Sequence, residues 1–297
     1  LKDLDIVRCC DLIGFHGQTI YHNPKKKVSI QKMSDPLLNR DFFETFHRQN
    51  TQPKSYIELN QQWRNFALSA LAQPRMNDFF NRVERIPEIK FTGLRQQIGV
   101  TPLFYESETS VGYFEFSPAS DDSELTSYQA LRGDTHQQLL LPSNYFNWLN
   151  VIPHAGFRFT HYGSRSSDES DFGQMNDIDR SVFNTGIEFS FKASSTFPDA
   201  KLSLLDVDGL RHVVQPMANY IFVPDPNKRP WELPQFDREL HSLRLRPIDF
   251  PDYNSIDTID SRNVIRIGVR NRLQTKRFGL VDDVLNWELF TDWRLDT

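Results

Sequence analysis

Between Arg262 and Leu273, the residues Ile265, Ile267, Val269 and Leu273 alternate with Arg266, Gly268, Arg270 and Arg272. A period of two is that of a β-strand, and here it gives the strand one oily and one charged face. The pattern recurs. Phe183, Ile187, Phe189 and Phe191 alternate with Asn184, Gly186, Glu188, Ser190 and Lys192, and Leu285, Trp287, Leu289 and Trp293 alternate with Asn286, Glu288, Asp292 and Arg294. Several long two-faced strands in one chain predict a sheet whose sides meet very different surroundings.

Two environments produce such a pattern. A soluble sandwich packs the oily face against a second sheet, whereas an outer-membrane barrel turns it to lipid and keeps the charged face for an aqueous lumen. Composition favours the barrel: of 297 residues 13% are aromatic, and 24 are Phe, side chains suited to lipid contact and interfacial girdles. The mean hydropathy of −0.54 does not oppose this, because half of each barrel strand faces water. No run of 18 or more apolar residues occurs, which excludes a spanning helix.

The formal net charge of −5, from 34 basic and 39 acidic residues, gives no basic footprint for nucleic acid. Cys9 and Cys10 are adjacent, a spacing that offers neither a metal-ligand set nor a self-contained disulfide framework. Free thiols and pairing elsewhere both stay open. The sequence opens at Leu1, without an initiator Met or the basic-then-apolar order of a signal peptide, and reads as a piece of a longer protein.

Strands are predicted at Ser55–Trp63, Phe66–Gln73, Glu88–Arg95, Leu103–Phe116, Ala155–Tyr162, Ser181–Ala193, Val213–Phe222, Asn263–Thr275 and Val284–Leu295, with weaker ones before Ser34 and around Thr135–Trp148. Some connections are tight, as at Arg64-Asn65, and others are long and polar, as at Ser117–Ala130 and Gly163–Arg180. That asymmetry is expected of an outer-membrane barrel, with short turns on one rim and long loops on the other. The longest connection, Pro224 to Asp260, holds six prolines, which lack the donors a ladder needs. It is predicted to fold into or over a lumen, anchored by Phe236, Leu240, Leu243, Leu245 and Phe250. A short helix is expected within Ser34–Asn50.

Several segments carry a family resemblance in order. Met33-Ser34-Asp35 is followed by Asp41-Phe42-Phe43, then Asn77-Asp78-Phe79-Phe80, then Val83-Glu84-Arg85-Ile86-Pro87-Glu88-Ile89. Beyond these stand Ile152-Pro153-His154-Ala155-Gly156-Phe157-Arg158, then Gly209-Leu210-Arg211-His212-Val213-Val214-Gln215-Pro216 with Tyr220 and Pro224, and then Asp260-Ser261-Arg262-Asn263. From Ser34 to Leu273 the chain resembles the barrel of the outer-membrane LPS-assembly protein (LptD, organic solvent tolerance) family. The resemblance implies an antiparallel transmembrane β-barrel, all-β, that takes lipopolysaccharide from a periplasmic bridge protein and inserts it into the outer leaflet, with an LptE-like lipoprotein plug inside. Residues 1–297 are then expected to be one domain, an open part of the barrel wall, lacking the family's periplasmic jelly-roll domain and its closing C-terminal strands. Some members have adjacent cysteines near the C-terminus that bond to the periplasmic domain. Cys9 and Cys10 lie far upstream of the shared motifs, so that role does not carry over.

The candidate functional residues are the charges predicted to line the lumen: Arg158, Glu188, Lys192, Arg266, Arg270 and Arg272, with Arg294, Glu106, Glu108, Glu288 and Asp292 beside them. Guanidinium forks suit phosphate oxygens and therefore phosphorylated sugar head groups. Mixed charges also simply hydrate and cross-link a barrel interior, and that reading stands beside the first. His136, His154, His161 and His212 lack a G-x-S-x-G or H-E-x-x-H frame and read as strand-end or interfacial residues. Trp63, Trp148, Trp287 and Trp293 read as interfacial belts in preference to the sugar-stacking platforms of a soluble sandwich, while Trp231, inside the Pro-rich loop, fits neither. The acidic loops Asp121–Glu124 and Asp168–Asp171 lack the order of an EF-hand and read as solvated. No cofactor, metal or catalytic step is expected. A porin-like or substrate-specific channel, a barrel-embedded lipid hydrolase and a soluble binding sandwich are the alternatives.

Overall fold

The computed structural model describes residues 18–23, 28–33, 56–76, 78, 80–120, 125–163, 177–202, 206–237, 256–277 and 280–295. These form fourteen strands: β1 (Gln18–Asn23), β2 (Val28–Met33), β3 (Tyr56–Gln62), β4 (Phe66–Gln73), β5 (Arg82–Gln97), β6 (Phe104–Ser117), β7 (Tyr128–Leu140), β8 (Ser143–Tyr145), β9 (Leu149–Tyr162), β10 (Ile178–Ser190), β11 (Ala193–Leu202), β12 (Val207–Val223), β13 (Arg262–Arg277) and β14 (Leu280–Arg294). All belong to one antiparallel sheet in which chain neighbours are spatial neighbours. Two long strands are interrupted: β7 and β8 lie end to end along β9, and β10 and β11 lie end to end along β12. Among the described residues β1 and β14 form the two edges and do not pair with each other, so the sheet is open.

The meander puts successive turns on alternate rims. Tight turns join β3 to β4, where the Trp63 amide donates to the Phe66 carbonyl at 2.8 Å, and β8 to β9, where Trp148 donates to Tyr145 at 3.2 Å. The connections 74–81, 118–127, 163–177 and 224–261 fall on the other rim. Among the described residues no helix is long and apolar enough to cross a membrane.

Several strands run further than alternation alone predicts. β5 starts at Arg82 instead of Glu88, β9 at Leu149 instead of Ala155, and β12 at Val207 instead of Val213. Proline explains the first two, since Pro87 and Pro153 each remove a ladder donor and look like strand breakers. Pro153 is tolerated because it lies beside the break between β7 and β8, where its carbonyl accepts the Leu141 amide at 2.9 Å and no ladder needs its donor, and Pro87 because it falls in the register shifts of β5 against both β4 and β6. β7 ends at Leu140 and begins at Tyr128, seven residues before the predicted Thr135. Its outer face carries Gly133, Thr135 and Gln137, which blur the contrast between faces. Cys9 and Cys10, the segment Ser34–Asn50, the acidic loops Asp121–Glu124 and Asp168–Asp171, and the anchors Leu240, Leu243, Leu245 and Phe250 lie outside the described residues.

The two faces of the sheet invert the distribution found in a soluble protein. One face is apolar and open: Ile57, Leu68, Phe91, Val111, Leu131, Phe157, Phe183, Ile267 and Leu289 are all exposed. Register places them side by side, with Phe157 opposite Phe183, Leu68 opposite Phe91 and Val269 opposite Leu289. The other face is polar and covered: Arg132, Asp134, His136, Arg158, Thr160, Arg180 and Asn184 are buried. Exposed apolar and buried charged faces on one sheet are the arrangement of an outer-membrane barrel wall, apolar toward lipid and polar toward the lumen.

The lipid-facing assignment is tested at β13. Ile267→Arg places a cation in hydrocarbon and is expected to cost about 2–4 kcal/mol, against less than about 1 kcal/mol for Arg270→Gln on the inner face, as read by unfolding of the lipid-embedded protein. Gly268, which alternation alone makes a neutral inner position, is unsuited as a control. A Cβ there meets the Phe290 ring and approaches the Leu289 carbonyl to 2.9 Å. Equal tolerance at Ile267 and Arg270 would reverse the assignment of the faces.

Candidate functional site

The inner face is built from neutralised charge. Toward one edge, Lys90 Nζ lies 2.7 Å from Glu108 and Arg95 Nε donates to Glu106 at 3.0 Å. Toward the other, the β13–β14 register sets Arg266 opposite Asp292 and Arg270 opposite Glu288. Arg266 makes two parallel bonds to Asp292, at 2.6 and 2.8 Å, and Arg270 Nε donates to Glu288. These pairs are partly solvated, and each contributes about 0.2–1 kcal/mol. Their larger effect is to hold long side chains flat along the wall.

At the centre, strands β6, β7, β9 and β10 are covered by the two described arms of the Pro-rich loop, Pro224–Asp237 and Ile256–Ser261. The fastening is a buried guanidinium. Arg132 Nη1 donates to Asp237 Oδ2 at 2.7 Å and to Asp257 Oδ1 at 2.9 Å, and Nη2 reaches Asp237 Oδ1 at 3.3 Å. Its plane stands 4.3 Å from the Phe114 ring centroid. Asp257 also accepts the Tyr162 hydroxyl and the amides of Phe236 and Asp237, at 2.7 and 3.1 Å for the amides. Asp237 accepts the Ile256 amide at 2.9 Å and draws Arg85 to 3.4 Å. Arg180 completes the seat by donating to the carbonyls of Ile256, Asp257 and Ile259.

Apolar contacts flank this polar knot. Leu233 and Phe236 of the loop pack on Phe114, Ala130 and Tyr162, and Ile259 packs among Val182, Ile221, Val223 and Val264. A one-turn 3-10 helix, Pro230–Glu232, stiffens the first arm: Pro230 fits its first turn, and Glu232 accepts the Arg229 amide at 2.7 Å. Asn227 extends β12 by imitation, accepting the Ser181 amide at 2.8 Å and donating to the Asp179 carbonyl at 3.2 Å. Trp231 stays outside this packing and exposed, with Arg229 5.9 Å from its ring centroid.

The two loop carboxyls are shifted in opposite directions from the ordinary carboxylate range. Burial alone pushes Asp237 up, but the Arg132 charge and hydrogen bonds outweigh it and hold the group below the usual carboxylate range. Burial raises Asp257, and the adjacent Asp237 charge adds to that against the pull of Arg132. On acidification Asp257 therefore takes a proton first. Asp237, depressed in the folded state, contributes stability that is present above the ordinary value of 3.8 and lost only as pH falls through its lower folded value.

Register brings Arg158, Glu188, Arg266, Arg270 and Arg272 onto the same inner face. It does not gather them into one cluster. Arg158 is buried beside Asp134, at 3.5 Å; Glu188 lies opposite Ile152 and Asn219; Arg266 and Arg270 belong to the β13–β14 ladder; and Arg272 faces Val213 and Asn286. Lys192 is exposed in the break between β10 and β11. Glu106 and Glu108 pair with Arg95 and Lys90, which the sequence reading did not single out. The histidines are divided: His136 and His154 are inward and buried in mid-strand, not at strand ends. His161 faces outward, with Nδ1 2.7 Å from Asp179, and His212 faces outward beside Asn271.

Sequence reasoning missed Arg85, Arg132, Asp134, Tyr162, Arg180, Asp237 and Asp257. A signal existed in Ala130-Leu131-Arg132-Gly133-Asp134-Thr135-His136, where every second residue is inward. Nothing local marked Asp237 or Asp257, which meet Arg132 across sequence separations of 105 and 125.

Removing the guanidinium tests the fastening. Arg132→Met leaves Asp257 buried without its cation and Asp237 with only Arg85, at 3.4 Å, and is expected to cost about 3–5 kcal/mol, releasing the loop to protease in the membrane-embedded protein. Asp237→Asn should release it less, because Asp257 still holds Arg132. Unchanged protection of the loop in Arg132→Met would show that the apolar contacts suffice.

No curated protein matches the chain. The family model for LPS transport system D matches residues 12–282, nearly the whole length and all but the last part of the sheet just described. An open all-β wall with a lipid-suited outer face and a charged inner one, matched over that span, belongs to the LPS transport system D family of outer-membrane β-barrels, and its work is lipopolysaccharide transport and assembly at the outer membrane.

Proposed function

We propose that residues 1–297 act as one domain, a stretch of barrel wall whose charged inner face guides the phosphorylated head group of lipopolysaccharide toward the outer leaflet. The observation that carries this is the inner face itself. Arginines lie flat along it in ion pairs that an arriving phosphate can join or exchange, since a guanidinium has five donors and its carboxylate partner uses at most two. The flanks beyond the docked loop hold the accessible pairs Arg266–Asp292 and Arg270–Glu288. Partnership with lipopolysaccharide and with the other components of its transport system belongs to the family in general. For this chain we assign the inner face to the lipoprotein plug and the periplasmic rim to the bridge protein. No bond is made or broken in the chain: transport uses the shape and charge of the path.

A photo-crosslinking residue placed singly on β13 tests the path. In cells making the complete protein, position 272, inward, is expected to give several-fold more lipopolysaccharide adducts than position 273, outward. Both lie in the half of β13 nearer the short turns, away from lipopolysaccharide already in the outer leaflet. Equal yields at the two positions, or none at either, would remove the inner face from the route.

A further inference from the structure

The turn between β8 and β9 spends backbone energy on an exposed aromatic ring. Phe146 and Asn147 stand at φ 54° and 60°, the two positive values of a type I′ hairpin turn, where Asn, Asp and Gly are favoured and a bulky side chain is strained. Asn147 suits its place. Phe146 does not, and its side chain gains no burial in return: it is 80% exposed. Around it stand Tyr145 and Trp148, each 52% exposed. Trp148 stacks on Phe146 at 6.4 Å and meets the Phe191 ring edge-on at 5.3 Å.

The position of this cluster is fixed by the wall beside it. On β9 the outward residues run from His161 through Phe159, Phe157, Ala155, Pro153 and Val151 to Leu149, and on β10 from Asp179 through Ser181, Phe183, Thr185, Ile187 and Phe189. No charged residue interrupts either series after the His161–Asp179 pair. From Phe159 to Leu149 is ten residues, about 34 Å along the strand and about 25 Å along the membrane normal at the usual tilt, the height of the apolar band of an outer-membrane barrel. With His161 and Asp179 at the boundary on the long-loop side, the aromatic cluster falls at the opposite boundary, on the short-turn rim.

We propose that Tyr145, Phe146, Trp148 and Phe191 anchor the β8–β9 turn in the phospholipid head-group layer of the leaflet facing the periplasm, with Phe146 as the inserted tip. Lipid is the occupant because the cluster continues the lipid-facing surface without a break, and amphipathic rings partition to this layer. The strained turn aims the Phe146 ring away from the protein.

The complete protein in phosphatidylethanolamine–phosphatidylglycerol vesicles decides this, using lipids brominated either near the glycerol or near the chain ends. The contribution of Trp148 is the difference in emission between the parent and Trp148→Phe. Shallow bromines should quench that difference several-fold more than deep ones, and iodide should reach it poorly. Phe146→Asn, which relieves the turn and should leave the barrel folded by its gel mobility without heating, should lose most of the shallow quenching. Free quenching by iodide, protection from both iodide and bromolipid as under a protein partner, equal quenching at both depths, or unchanged quenching in Phe146→Asn would each overturn the anchor. If Phe146→Asn does not fold, the depth profile of the parent against Trp148→Phe decides alone.

Discussion

Inside a bilayer no water is present to satisfy a backbone amide or carbonyl, and each such group left bare costs several kcal/mol. The continuous antiparallel ladder from β1 to β14 is the response to that constraint, and the other features follow from it. Once the backbone is committed to a ladder, side chains must alternate, and a slip of one residue would exchange lipid-facing Ile267 for lumenal Arg266 or Gly268 along the whole strand. The opposition of Arg266 to Asp292 and of Ile265 to Trp293 is thus one fact seen from two sides. Even the interruptions respect it: β8 and β11 resume the line of β7 and β10, so β9 and β12 keep a partner.

A wall that faces lipid outward must hide its polarity inward, and buried charge is costly unless it is both paired and hydrogen-bonded. The inner face meets this in two ways. Where water reaches it, cross-strand pairs such as Arg270–Glu288 and diagonal ones such as Lys90–Glu108 neutralise single charges. Where the loop excludes water, Arg132 is shared between two carboxylates, and those carboxylates receive amides and a hydroxyl as well. The loop therefore does not cover an apolar core in the ordinary sense. Its small apolar patches around Phe236 and Ile259 position it, and the Arg132 knot makes the position specific.

That division of labour bears on transport. The pairs on the flanks are partly solvated and individually weak, so exchange with a phosphate costs little. The central knot is dry, and breaking it would expose two carboxyls and a guanidinium together. In the function proposed here the head group follows the flanks, while the covered strands β6 to β10 are the base on which the loop is held.

Alternation in Arg262–Leu273 and its recurrences determined the strand period and the two faces, because a local pattern of side chains directly encodes which surface each strand must meet, and the aromatic composition favoured the barrel over a sandwich. Motif order pointed to the family, and proline density placed the long loop. The chain did not reveal where β5 and β9 begin, since Pro87 and Pro153 look like breakers until their neighbours are seen to leave the missing donor unneeded. Nor did it reveal the centre of the inner face. Arg132 is separated from both Asp237 and Asp257 by more than a hundred residues, and Tyr162 and Arg180 gain their roles only when the loop folds back on β9 and β10. Period and facing are properties of consecutive residues, so sequence alone carried them; partner choice among many similar charges depends on which strands stand side by side, and only the tertiary structure decided it.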